Sequence, residues 1–339
     1  MNKRDRIAAA IAGNPVDRVP VSAWGHFFLD ETNAESFADR MVSFQEAYDW
    51  DFLKVHARAS YHVEPFGFDY VPSTSASQGH TLRSTPVRTP DDWYALRPAP
   101  LDSDAFQEQF RALAIMRQRV PRDVPIVMTV FTPLDIADKM LDRNAATLAE
   151  HIRIAPDAVG HALSVFSETM KPFVARLVEL GIDGIFFSTK WANGAKLSPK
   201  AYRRLCLAHD LHMMAPAAGL SMNIMHVCEN EVFLEGFADY PVSIFHWNDC
   251  GRHNPSLRAG RILTDRAVGG GVDVSVLAEG SPADVERRAV NAIVEAGGTG
   301  MILSPGCSLR TAATPAANLN ALRASPEKAA RALSLQQVA

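Results

Sequence analysis

The sequence contains little that would tie it to a membrane, an oxidising compartment or a polyanion. No apolar run approaches the roughly 18 residues of a membrane span. The start, Met1-Asn2-Lys3-Arg4-Asp5-Arg6, leads into an alanine-rich amphipathic helix without an apolar signal core. Cysteine is scarce, at 4 in 339 residues, as expected of a reducing compartment rather than a disulfide scaffold. These absences predict a cytoplasmic protein with no membrane partner. Basic residues do not cluster, and 34 Lys and Arg against 38 Asp and Glu leave a net charge of −4. A nucleic-acid partner is therefore not expected. No glycine-rich dinucleotide fingerprint follows the first apolar segment. Gly269-Gly270-Gly271 comes late and lacks the spacing, so its expected role is close backbone approach at a strand end.

What is present is a globular composition, 47% hydrophobic and 21% charged, arranged as alternating strands and helices. Eight apolar segments read as strands, at 19–24, 51–56, 125–130, 181–188, 220–225, 242–245, 266–270 and 300–303. Helical spacing runs over 36–48, 157–180, 199–216 and 282–297, with shorter helices after the fifth and sixth strands. Strands that are apolar throughout, each followed by a helix, point to a parallel sheet covered on both faces. Eight such units predict an α/β fold, a (β/α)8 TIM barrel, whose chemistry sits at the C-terminal strand ends. An open doubly wound sheet is the alternative. The whole of 1–339 is expected to form one domain, with a long loop or insertion at about 60–100.

Two segments end in soft metal ligands: Ile224-Met225-His226-Val227-Cys228 and Leu303-Ser304-Pro305-Gly306-Cys307. In an extended chain, residues i and i+2 point the same way, so His226 and Cys228 can chelate one ion together. Cys307 is too distant for a local finger, and the fold must bring it in. Structural zinc sites usually show two local ligand pairs; one pair plus a single residue suits a three-ligand catalytic site with an open position. Zinc would deprotonate a bound thiol, which is otherwise a poor nucleophile near neutrality. The competing reading is that free cysteines simply fill the core.

These segments resemble the uroporphyrinogen decarboxylase superfamily, and most of all its zinc-dependent methylcobalamin:coenzyme M methyltransferase branch. The two ligand segments resemble the family's H-x-C and S-x-G-C zinc segments. Arg4-Asp5-Arg6 with Asp17-Arg18-Val19-Pro20-Val21 resembles its opening helix and first strand. Tyr61-His62-Val63-Glu64-Pro65-Phe66-Gly67 and Phe131-Thr132-Pro133-Leu134 resemble further family segments. The resemblance implies a uroporphyrinogen decarboxylase-like barrel with Zn(2+) held by His226, Cys228 and Cys307. It further implies methylcobalamin as methyl donor, a small thiol substrate as acceptor, and a separate corrinoid protein as partner. Two departures matter. Where decarboxylases carry an arginine-rich segment, this chain reads Trp24-Gly25-His26-Phe27-Phe28-Leu29-Asp30, without the counter-charges of a porphyrinogen substrate. The sixth strand ends in His246 instead of the family's carboxylate, which leaves the acceptor open.

Further expectations follow for single residues. His246 is expected as a fourth zinc ligand or substrate contact, and Glu64 as a catalytic or supporting carboxylate. His26, Asp30 and Asp273 are expected to bind substrate at the barrel mouth. Glu229 is expected to support Cys228 rather than ligate. Cys250 is an alternate ligand or packing, Cys206 is core, and His209 and His212 are surface. A zinc-dependent lyase or decarboxylase acting on a small acid is the alternative function.

Overall fold

A computed structural model describes residues 1–336 of the chain. Helix α1 (Lys3–Ile11) and α2 (Ala34–Tyr48) precede strand β1 (Leu53–Val55). A hairpin, β2 (Asp69–Val71) with β3 (Thr81–Ser84), leads to α3 (Asp104–Arg119). Then come β4 (Ile126–Phe131), α4 (Pro133–Met140), α5 (Ala145–Ile154) and α6 (Pro156–Glu179). After them lie β5 (Gly184–Thr189), α7 (Pro199–Met214), β6 (Ile224–Val227), β7 (Ile244–Trp247) and α8 (Leu257–Thr264). The chain ends with β8 (Ala267–Val272), α9 (Val274–Glu279), α10 (Pro282–Glu295), β9 (Met301–Pro305) and α11 (Ala316–Gln336). Local chemistry marks the helix starts. Ser198, Ser256 and Ser281 cap α7, α8 and α10 through their hydroxyls, and Pro199 and Pro282 occupy first-turn positions where a missing N–H costs nothing.

Seven strands form one parallel sheet in the order β1-β4-β5-β6-β7-β8-β9. The predicted first strand, 19–24, is present only as a single bridge. Val21 pairs with Leu303, Leu303 N–H donates to the Pro20 carbonyl at 2.9 Å, and Asp51 N–H donates to the Val21 carbonyl at 2.9 Å. This segment joins β9 to the chain entering β1 and closes the ring. Pro20 has no N–H to extend the ladder, which is why a regular strand does not form there. The result is the predicted TIM-barrel-like fold. Other strands match the expected ones to within four residues, the largest difference being at the start of β6. The short helix expected after the fifth strand is absent. Its segment instead bridges Val232 to Asn193 and makes one 3-10 turn, Glu235–Phe237.

Strand alternation sorts the apolar residues into two cores. Those facing the helices form the large outer core. Those facing inward, Phe52, Val127, Phe186, Ile224, Ile244, Ala267 and Ile302, form the barrel floor with Trp24 and with Ile7 of α1. The 60–100 region contains the β2–β3 hairpin, followed by the 3-10 turn Pro90–Ala95. No helix among the described residues is long and apolar enough to cross a membrane.

Candidate metal centre

Two residues beyond the floor, the inward positions turn polar. Ile224 is followed by His226 and then Cys228, and Ile244 by His246. Parallel register sets His226 beside Ser188 on β5 and His246 on β7. Cys307 follows β9, two residues past its end. The fold thus brings His226, Cys228 and Cys307 together, with one ligand atom from each lying within 4.8 Å of the others. The two sulfurs are 3.6 Å apart, and Cys307 Sγ lies 4.0 Å from His226 Nε2. A tetrahedral zinc would set such sulfurs about 3.8 Å apart and a sulfur and imidazole nitrogen about 3.6 Å apart. The donor set and its spacing therefore fit zinc.

The imidazole is oriented by a chain of hydrogen bonds. His246 Nε2 lies 2.9 Å from the Pro305 carbonyl and 3.1 Å from Ser304 Oγ. A carbonyl only accepts, so His246 Nε2 carries the proton and its Nδ1 a lone pair. His226 Nδ1, 2.7 Å from His246 Nδ1, must then donate. That leaves His226 Nε2 bare and facing the cysteines, the tautomer a metal requires. Burial holds the His246 pKa well below its ordinary value, which keeps that ring neutral. Gly269 makes room for the ring: a Cβ there would meet His246 Cδ2 at 3.1 Å. Gly306 is equally constrained, since a Cβ would lie 2.5 Å from Asn248 Oδ1.

The cysteines behave as a pair that shares one proton. Hydrogen bonding from Cys228 holds Cys307 well below the ordinary thiol range. Its partner Cys228 is pushed up by the same bond and by burial.

The three ligands open onto a cavity of about 130 Å³ that is also lined by His26, His56, Arg143, Lys190 and Ser308. Trp24, Phe131 and Phe186 supply its apolar wall. Below it, Lys54 is fully buried, with Nζ in contact with His56 Nδ1 and 4.3 Å from the Phe186 ring centroid. Burial pushes the Lys54 ammonium well down, and the two cysteines pull it up. Lys54, His56, Arg143 and Lys190 are pocket residues that sequence reasoning missed. The available signal was in the 51–56 segment, where alternation sends Phe52, Lys54 and His56 into the barrel and a lysine in such a row is out of place.

Of the expected substrate and catalytic residues, only His26 reaches this cavity. His246 stands behind His226, not at the open side. Glu64 is drawn away by Arg58, whose Nε and Nη2 donate to its two oxygens at 2.8 and 2.9 Å. Asp30 faces outward and pairs with Arg40 at 2.9 Å. Asp273 is committed to capping α9, accepting from Ser275 N–H at 2.7 Å, and to accepting from Asn248 at 2.9 Å. Glu229 accepts from Lys196 at 2.9 Å and Asn193 at 3.2 Å, outside the ligand cluster. Cys250 lies against Arg288, and Cys206 is buried in the core as expected.

Residues 2–328 match the family described as Uroporphyrinogen decarboxylase (URO-D). Similar proteins include the methylcobamide:CoM methyltransferase MtaA of Methanosarcina barkeri, 22% identical over 341 residues. The protein of that name from M. barkeri strain Fusaro is 23% identical over 346 residues. Each alignment covers 96% of this chain and 97% of the relative. Among solved structures, a methyltransferase from Methanosarcina mazei superposes with a TM-score of 0.79 at 22% identity, covering 97% of this chain and 99% of that one. A B12-independent methionine synthase from Shewanella sp. W3-18-1 gives 0.55 at 13% identity, covering 94% and 98%. At these identities the structural likeness is one of fold.

Proposed function

The chain belongs to the uroporphyrinogen decarboxylase family, and from that premise we propose that it is a zinc-dependent methyltransferase acting from a methylated corrinoid to a small thiol. The carrying observation is the convergence of two cysteines and a tautomer-set histidine on one side of a pocket. The names of the two Methanosarcina barkeri relatives support the corrinoid donor and the thiol acceptor. Zinc, when bound, would lower the pKa of an acceptor thiol so that it is nucleophilic near neutral pH.

The chain's own residues do the rest. His226 Nε2 and the sulfurs of Cys228 and Cys307 would hold the metal and leave its fourth position open to the pocket. His246, anchored by the Pro305 carbonyl, keeps His226 in its ligating tautomer. Trp24, Phe131 and Phe186 exclude water around the reacting sulfur, which strengthens every electrostatic contact there. Arg143 and Lys190 line the pocket without an ion pair among the described residues, and so favour the build-up of negative charge on sulfur. In the transfer the S–C bond forms as the Co–C bond breaks, and the bond pair stays with the corrinoid. The corrinoid protein is proposed to dock over the barrel mouth, the end at which this fold carries its chemistry. The small cavity supports a compact acceptor over a tetrapyrrole, in keeping with the absence of arginine across 24–30.

The test is metal analysis followed by incubation of the zinc-loaded protein with methylcobalamin and a series of thiols. One zinc per chain and thiol-dependent loss of the methyl–cobalt absorbance are expected. Full zinc loading without methyl transfer to any thiol would overturn the proposal and turn attention to lyase or decarboxylase chemistry on a small acid.

A further inference from the structure

Methyl transfer to a thiol leaves a proton to be placed, because the acceptor arrives as R–SH and reacts as R–S⁻. Few groups lining the pocket at the metal centre could take it. Arg143 and Lys190 only donate. His56 is engaged at both ring nitrogens, by Lys54 Nζ and by Ser308 Oγ, the latter at 3.2 Å. The first of these contacts also occupies Lys54. Apart from the metal ligands, His26 is the basic side chain on this wall that keeps a free nitrogen. Its Nδ1 lies 2.8 Å from Glu31 Oε1, and its Nε2 has no partner among the described residues. The side chain is 20% exposed and Nε2 is not among the buried orphan atoms, so this nitrogen is open to the pocket.

The ring is fixed on every side. The Glu31 side chain is fully buried, and its Oε1 also accepts from Phe27 N–H at 2.8 Å. A carboxylate accepts, so His26 Nδ1 carries the hydrogen and Nε2 the lone pair. Phe28 stacks on the imidazole with centroids 4.9 Å apart, and His56 meets it edge-on at 4.2 Å. Thr311 Oγ1 donates to the His26 carbonyl and ties this segment to the stretch that follows Cys307. The titratable groups around the ring are Glu31, His56 and His80, with Arg143 on the wall of the same pocket. Burial holds His56 and His80 below the ordinary histidine range, so both are neutral. An imidazolium formed at His26 therefore meets the Glu31 carboxylate first. Such a carboxylate holds the tautomer and stabilises the cation, as in the acid–histidine pairs of nucleophilic enzymes.

We propose that His26 is the base that receives the proton of the acceptor thiol, with Glu31 as its positioning residue. The S–H bond breaks, its electron pair stays on sulfur, and the proton passes to His26 Nε2 while Nδ1–H remains on Glu31. A round cavity of about 130 Å³ spans on the order of 6 Å, so a sulfur held there lies within one hydrogen bond or one bridging water of Nε2. Once the neutral thioether leaves, His26 returns the proton to solvent and the base is restored. The inference rests on the methyl-transfer reading and adds to it the destination of the proton.

The experiment titrates zinc-loaded protein with 2-mercaptoethanol near neutral pH, calorimetrically and in buffers of different ionisation enthalpy, which counts the protons released per thiol bound. The wild-type protein is expected to keep the proton and release almost none. His26→Gln, with zinc still at one per chain, should release one proton per thiol. Glu31→Gln, which leaves the imidazole in place without its carboxylate, should shift the count in the same direction. A change in packing alone would weaken binding without moving this count. Methyl transfer from methylcobalamin is followed in parallel at limiting thiol. In His26→Gln it should fall about a hundredfold near neutrality, within the range a positioned base contributes. That deficit should close above the thiol's own pKa of about 8.5, where no base is needed. Release of a full proton by the wild-type protein overturns the inference. So does an unchanged count in His26→Gln, or a rate deficit of equal size at every pH. A retained proton without methyl transfer would instead overturn the proposed reaction and leave the base standing, and failure of the thiol to bind would overturn both.

Discussion

The floor and the mouth of the barrel are built from the same strands, one inward step apart. On β6 the step runs from Ile224 to His226, on β7 from Ile244 to His246, and on β9 from Ile302 to Ser304, a rise of about 7 Å each time. Below, apolar residues meet only by volume, as Phe186, Ile224, Ile244 and Ala267 do across one register level. Above, each group depends on the direction of its neighbour: Pro305 sets His246, His246 sets His226, and His226 faces Cys307. A floor of this kind tolerates exchange at the cost of packing. A mouth of this kind can lose its chemistry with its packing intact.

The sharpest way to break this contrast is at the mouth. Cys307→Ser should fold normally by circular dichroism, yet lose bound zinc in elemental analysis and methyl transfer to below detection. A variant that keeps both would dissolve the site. At the floor, Ile244→Ala should do the reverse. It should cost about 2–5 kcal/mol in denaturant unfolding while the folded protein still binds one zinc. Loss of zinc from folded Ile244→Ala would mean that floor and mouth are not separable. A subtler test is His246→Leu, which keeps all three ligands and removes only what orients one of them. Zinc affinity, read by competition with a chelator, should fall about 10–100-fold; unchanged affinity would show that His226 needs no such support.

A last test is a matter of pH, in the outer layer away from both regions. Asp210 of α7 is fully buried, accepts from Tyr240 at 2.6 Å and Tyr202 at 3.2 Å, and is pushed up by burial to about 8. The folded state therefore holds this proton to higher pH than the unfolded chain does. Its stabilising contribution is present at acid pH and is lost as pH rises from about 4 to about 8. Asp210→Asn should flatten that decline in urea unfolding without changing zinc content. An unaltered pH slope would show that Asp210 is ionised throughout.

Much of the candidate site was legible because its ligands follow strand ends, and strand ends are marked by where apolar runs stop. His226, Cys228 and Cys307 needed only local alternation and strand order. His246 was noticed for its place at a strand end, but its role depends on a contact with Pro305, a residue distant in sequence. Glu64, Asp30 and Asp273 stand in suggestive surroundings, and each is claimed by a partner that strand order does not reveal: Arg58, Arg40, or an N-cap with Asn248. Lys54 and His56 went unread because a short strand with a buried lysine looks, in one dimension, like an edge.

By itself, the sequence determined the alternation of strands and helices, the barrel that follows from it, and the set of soft ligands near its end. These are properties of period and residue type, which are local. The tertiary structure alone decided which polar groups face one another across the barrel. It put Pro305 against His246, Arg58 against Glu64, and His80 above Glu31. Such pairings depend on register and loop closure between residues far apart in the chain, and no local pattern encodes them.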